Sequence, residues 1–292
     1  MKTIQSFALK HTLIYCILAE ILVLGGMMVA GTAVSVVVYV VLGWDVDYYV
    51  LMAGQEVFGA LIALAAICLS GCSYIFKRRG IGFCRGLLVG GYFLFISVYT
   101  AVGLFVTYEG ERVLKPWYLI VTFAVTMVLI GVTEEFLCRG VLAELLRRHY
   151  GATHGGIWRA VVVSGILFGL AHLTNLLSAK PMGVLVQCVS AAAMGMAFAA
   201  IYFRTGCIWV TVALHALVDF AALITGGLYR GTVDEVISEY TPVNLIAVVP
   251  YIVLLFVLLR KKKMDEIVER FAEEARQEIP RYSARPDLDW MR

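Results

Sequence analysis

Eight apolar stretches, at approximately residues 13–42, 49–76, 87–108, 116–146, 160–177, 182–203, 207–226 and 243–259, are separated by short polar breaks. About 20 apolar residues suffice to cross a bilayer as a helix. The chain is therefore expected to be all-α, a polytopic membrane protein built as a bundle of about eight transmembrane helices. Residues 1–263 would form the transmembrane helical domain and residues 264–292 a cytoplasmic polar tail. The first stretch follows Lys2 and Lys10 as a signal peptide would, but Leu13–Leu42 is too long for an apolar signal region of ~7–15 residues. The first, second and fourth stretches exceed a span and should tilt or protrude. The fifth is short and should break near Asn175, ahead of Lys180 and Pro181.

Composition agrees. Hydrophobic types make up 61% and charged types 15% of the chain, against roughly 45–50% and about 25% in soluble domains. Of the 45 charged residues, 17 fall within 260–292. A soluble enzyme, a disordered protein and a nucleic-acid binder are excluded, and the lipid bilayer is the expected surrounding. The seven cysteines form no C-x-x-C pair, so they read as small core residues rather than a zinc or redox site. No internal repeat argues for an inverted-repeat transporter. Lys and Arg alternate between the breaks, 14 in one set and four in the other. By the positive-inside rule this places the protein in the cell membrane, multi-pass, with both termini and the 77–85, 147–159 and 204–206 breaks in the cytoplasm. In the tail, Met264, Ile267, Val268 and Phe271 recur at helical spacing among mixed charges, which suggests a solvated helical extension or a juxtamembrane amphipathic helix.

Ionisable side chains inside spanning helices are costly and point to function. The fourth stretch carries Glu134, Glu135 and Arg139 in Thr-Glu-Glu-Phe-Leu-Cys-Arg-Gly; the fifth carries His172, followed by Asn175; the seventh carries His215 and Asp219. Glu134 lies 13 residues from Arg147, His172 lies 13 from Arg159, and His215 lies 11 from Arg204. At 1.5 Å per residue all three sit roughly 16–20 Å from one membrane face, a depth that suggests one polar chamber. Glu135 and Arg139, at i and i+4, can pair. Glu134, turned about 100° from Glu135, can face another neighbour. Glu20, Gln55 and Glu56 have no clustered partner in sequence and read as interhelical hydrogen-bonding or interfacial residues. Glu144, a turn before Arg147 and Arg148, reads as a membrane-edge charge.

A carboxylate in an apolar setting makes a competent general base, and imidazoles can orient water, stabilise an oxyanion or bind metal. Glu134 with His172 and His215 thus suits activation of water against a carbonyl. The H-E-x-x-H and G-x-S-x-G patterns are absent, and Cys138 has no histidine within a helical turn.

Glu-Glu-x-x-x-Arg, then Phe-x-x-x-His, then His-x-x-x-Asp, in order on successive apolar helices, resembles the CAAX-protease and bacteriocin-processing family of type II CAAX prenyl endopeptidases and their bacterial relatives. The resemblance covers about residues 116–226. It implies an eight-helix intramembrane endopeptidase with a chamber open to the cytoplasm. Glu134 would be the general base and His172 its partner on the catalytic water. His215 and Asp219 would be the oxyanion pair, supported by Glu135 and Arg139. Family members with CAAX activity carry Asn where Asp219 stands, while bacterial relatives often carry Asp. An ionised Asp cannot donate to an oxyanion; the favoured role for Asp219 is to hold the tautomer of His215.

The leading expectation is an endopeptidase without a metal cofactor, acting on a membrane-associated peptide or protein substrate. One alternative is a metal-dependent version with a divalent metal at Glu134, His172 and His215, ligand types that Zn²⁺ accepts. Another is a non-proteolytic membrane scaffold or bacteriocin self-immunity factor. A transporter is disfavoured because the outer halves of the helices are apolar.

Overall fold

The computed structural model describes residues 2–78, 80–230 and 236–283. Arg79, counted above among the basic residues, and the tail beyond residue 283 lie outside the described residues. The described residues are mostly helical: α1 (Lys2–Lys10), α2 (Thr12–Ser35), α3 (Tyr48–Ser70), α4 (Phe83–Val89), α5 (Gly91–Thr107) and α6 (Trp117–Glu135) come first. They are followed by α7 (Glu144–Tyr150), α8 (His154–Ala171), α9 (Pro181–Thr205), α10 (Ile208–Ala222), α11 (Ile224–Leu228), α12 (Val236–Glu239), α13 (Val248–Leu258) and α14 (Lys261–Ser283). Among the described residues no strand forms; Leu114 and Tyr229 make an isolated bridge.

Every apolar stretch of the sequence lies on helix. Five helical segments are long and apolar enough to cross a membrane: Thr12–Val41, Tyr48–Ser70, Trp117–Tyr150, His154–Leu177 and Pro181–Thr205. The count reaches seven if two bent pairs, α4 with α5 and Pro242–Leu258 with Lys261–Arg276, each count as one span. Helix α10 is apolar but only 15 residues long. The protein is thus an all-α, multi-pass membrane protein. Large apolar side chains such as Val29, Leu88, Val106 and Trp117 cover its outside, as lipid contact requires. The fifth stretch breaks at His172, where α8 passes into a 3₁₀ turn, His172–Leu177, slightly before the expected position at Asn175.

Successive breaks fall at alternate ends. At one end the Ile81 N–H donates to the Thr205 carbonyl at 3.0 Å, Arg78 pairs with Glu144 at 2.9 Å, and Arg204 donates to the Leu258 carbonyl at 3.1 Å. At the other, Lys115 pairs with Asp47 at 2.8 Å, and the Arg230 N–H donates to the Val113 carbonyl at 2.9 Å. The basic breaks gather at the first end.

Two expectations for that end need correction. Glu144 lies at the basic end but is enclosed there rather than set at the surface. It is fully buried and accepts from Tyr74 at 2.6 Å, Arg78 at 2.9 Å and Tyr202 at 3.0 Å, and it also pairs with Arg147. Burial alone would lower the Arg78 pKa, but the Glu144 carboxylate holds it above its usual value. The tail is not a solvated extension over its described part. Helix α14 folds back, burying Met264, Ile267 and Phe271. Phe271 packs against Phe203, the Arg147 guanidinium lies 4.1 Å from its ring centroid, and Glu274 pairs with Arg78 at 3.0 Å. The apolar face needed cover, and for Phe271 the ring of Phe203 and the guanidinium of Arg147 provide it.

Close helix approach sets the interior. Gly165 and Gly169, a Gly-x-x-x-Gly face, admit α9 against α8. Gly131 does the same for α6 and α10: a Cβ built there would stand 2.8 Å from the Val212 carbonyl oxygen and 3.2 Å from the Ala216 amide nitrogen. Backbone cannot yield as a side chain can. Gly131→Ala should therefore lower stability by about 1–3 kcal/mol, read as a lower thermal midpoint in detergent; a wild-type midpoint would contradict the tight α6–α10 packing.

Candidate active site

Helix α6 ends on Glu134 and Glu135, and the chain continues as a π-helical stretch, Phe136–Ala143, every residue of which is buried. Wider helical turns of this kind recur at functional sites. Nothing in the residue pattern signalled it.

The site is organised around His215, which is 2% exposed. Because Gly131 lets α10 lie against α6, the two adjacent glutamates reach opposite nitrogens of this one ring. Glu135 Oε1 lies 2.8 Å from Nδ1, and Glu134 Oε2 lies 3.2 Å from Nε2. The first contact makes Nδ1 the protonated nitrogen, since a carboxylate only accepts. The second then requires a proton between Nε2 and Glu134, carried by one or the other. The 100° between neighbouring helical residues separates the glutamates by role: the Glu135 side chain is 0% exposed, and that of Glu134 is 33% exposed.

Arg139 stands 2.8 Å from the same Glu135 Oε1, as the i, i+4 spacing suggests, although off the line of a straight hydrogen bond. Its Nη2 donates to the Gly195 carbonyl of α9 at 2.9 Å. The guanidinium lies between the rings of Phe168 and Phe198, at 5.3 and 5.2 Å from their centroids. Phe198 also stacks on His215 with centroids 5.1 Å apart, and Phe168 meets His215 edge-on at 5.8 Å. The two phenylalanines thus hold both the cation and the imidazole. Their part is one that reading the ionisable residues alone does not find.

His172 is half-buried at the end of α8, where its Nδ1 lies 2.9 Å from the Phe168 carbonyl. That bond places its proton on Nδ1 and leaves Nε2 as an acceptor. The Phe168 ring touches both histidines, at 5.1 Å from the His172 centroid. Asn175 turns elsewhere and donates to Gln187 at 2.8 Å. Asp219 stands 3.8 Å from His215 Nε2, beyond hydrogen-bond reach, with 22% of its side chain exposed. The tautomer role expected of Asp219 therefore falls to Glu135. Among the described residues, no three His, Cys, Asp or Glu side chains converge as metal ligands would.

Glu134, Glu135, Arg139, His215 and Asp219 thus form a single membrane-embedded carboxylate–imidazole cluster, with His172 joined to it through Phe168. Residues 116–221 match the family model described as Rce1-like, type II CAAX prenyl endopeptidase. The matched segment is similar to that family, and it contains all six residues. No curated protein and no solved structure matches the chain.

Glu135 is the residue to which both Arg139 and His215 are tied. Removing one partner of a buried pair strands the other, at about 3–5 kcal/mol. Arg139→Ala should lower the thermal midpoint and activity together; a variant as stable as wild type would contradict the pairing.

Proposed function

We propose that the protein is a CAAX-type intramembrane endopeptidase that hydrolyses a peptide bond of a membrane-associated protein or peptide with a water activated by Glu134, and that it needs no resident metal. The observation that carries this is the division of the two glutamates around His215. Glu135 is enclosed and already engaged by Arg139 and His215. Glu134 is the one whose carboxylate is partly open, so it is the one that water and substrate can meet.

In the proposed reaction a water gives a proton to the Glu134 carboxylate as its oxygen bonds to the scissile carbonyl carbon, and the carbonyl π pair moves onto oxygen. When the carbonyl re-forms, the C–N bond breaks and the leaving nitrogen takes the proton back from Glu134. His172 Nε2 is available to accept from the same water. His215 Nε2, when protonated, donates to the developing oxyanion; Glu135 steadies that imidazolium from the other side. Asp219 is the second residue at the oxyanion position and donates there only in its protonated form.

The end of the bundle where the basic breaks gather is proposed to be cytoplasmic, in the cell membrane, with both termini on that side. In a background without native cysteines, a cysteine at Lys77 should react with an impermeant reagent only after the membrane is opened. Labelling in intact cells would reverse the orientation.

Glu134→Gln keeps size and hydrogen bonding and removes basicity. The variant should fold and insert, with peptide hydrolysis in detergent lowered ~10²–10⁴-fold. His172→Ala should resemble it, and His215→Ala should lose ~10²–10³-fold with the oxyanion donor. Wild-type hydrolysis should persist in chelator; loss in chelator, restored by a divalent metal, would favour the metal-dependent version. A cellular phenotype that survives Glu134→Gln would favour the scaffold or bacteriocin self-immunity reading.

A further inference from the structure

Helix α3 lies outside the segment that the family model covers, yet it delivers a fourth carboxylate to the cluster. Two threonines of α6 fix its register. Thr126 donates to the Tyr49 carbonyl at 3.0 Å and Thr133 to the Glu56 carbonyl at 2.9 Å. Each pair is seven residues from the other, so the two helices run parallel and in step along one face. That register sets Glu56 beside Thr133, the residue before Glu134. Glu56 is 7% exposed, and its Oε2 is enclosed with no hydrogen-bond partner. Its carboxyl is within electrostatic reach of Glu134, Asp219 and His215. Asp219 Oδ2 is likewise enclosed and unpartnered.

A buried carboxyl oxygen left without a partner is costly. The Thr133 hydroxyl that ties the helices donates to the Glu56 carbonyl and also lies beside its carboxyl group, and Oε2 is still left without a donor from either helix. Its oxygen therefore awaits a donor that arrives from elsewhere. Water does, and Glu134 is the neighbouring group that uses one.

We propose that Glu56 is a further catalytic residue, a second carboxyl that holds the water deprotonated by Glu134. This rests on the assignment of Glu134 as the base. Glu56 accepts a hydrogen bond from the water and is unchanged at the end of the step; the transferred proton goes to Glu134 and on to the leaving nitrogen.

The test is peptide hydrolysis by the purified full chain in detergent, with Glu56→Leu, Glu56→Gln and Glu134→Gln measured side by side. Glu56→Leu removes the water contact, and the Thr133 hydroxyl keeps the backbone carbonyl of residue 56 as its acceptor. It should keep the wild-type thermal midpoint and KM, and lose kcat about 10²-fold, the effect of a misplaced reactant. Glu56→Gln keeps an acceptor and should lose only about tenfold, the worth of one hydrogen bond. Wild-type kcat in Glu56→Leu beside an inactive Glu134→Gln would overturn the inference and leave the base assignment standing. Equal losses of kcat in Leu and Gln variants that also share a lowered thermal midpoint would overturn it too, in favour of a structural role. An active Glu134→Gln would remove the base assignment, and this inference with it. Should Glu56→Leu fail to fold, Glu56→Gln decides: lowered kcat at unchanged KM and midpoint supports the role, and wild-type kcat overturns it.

Discussion

A single carboxylate oxygen, Glu135 Oε1, takes the Arg139 guanidinium and the His215 imidazole at 2.8 Å each. In a bilayer interior such a group is tolerable only when its charge is balanced and its helices are held. Arg139 supplies the balance, and through Gly195 and the two phenylalanine rings it ties α6 to α8 and α9. His215 supplies the tie to α10. The rest of the site follows from this oxygen. It fixes which nitrogen of His215 is protonated, and hence that Nε2 is what faces Glu134. The glycine at 131 is the condition for all of it, because one more carbon would hold α10 away.

Much of the cluster was legible in the chain because membrane interiors make ionisable residues conspicuous. Glu134, Glu135, Arg139, His172, His215 and Asp219 stand out against apolar sequence, and i, i+4 spacing gives the Glu135–Arg139 pair without a structure. Spacing cannot say which helix lies beside which. It therefore left His215 free of Glu135 and gave its tautomer to Asp219, the carboxylate on its own helix. It also left Glu56 without a partner, since the register of α3 against α6 depends on two threonine hydroxyls bonding to backbone carbonyls. Threonines bonding backbone across helices carry no signature in sequence, and neither does the π-helical stretch after Glu135.

The fold was legible to a similar degree and failed for a related reason. Apolar length marks a spanning helix, so each of the eight stretches is helical. Length does not mark a bend: α4 and α5 meet at 71°, and the last apolar helix turns by 65° into the tail. Charge content suggested that the tail is solvated, while its four apolar residues suggested otherwise. The apolar face prevails because the basic breaks that it meets are neither bare nor uniformly basic. Glu144 gathers Arg78 and Arg147, and the ring of Phe271 then lies against a guanidinium whose charge is already balanced and which its face attracts.

These two acidic centres, Glu144 and Glu135, sit within one continuous helical run and show what burial does to a carboxylate's use. Glu144 has both oxygens engaged, Oε1 by Tyr74, Arg78 and Arg147 and Oε2 by Tyr202, and is sealed from solvent. A group so engaged and enclosed is out of a substrate's reach, and it serves as a clasp for the basic end and α14. Glu135 keeps its Oε2 unpartnered but is sealed from solvent. Glu134, one residue earlier, has the imidazole on one side and open space on the other. Along that run the carboxylates pass from fully satisfied, to half satisfied and enclosed, to half satisfied and open. Hydrolysis needs a base that is held and yet incomplete, and only the last of the three meets both conditions.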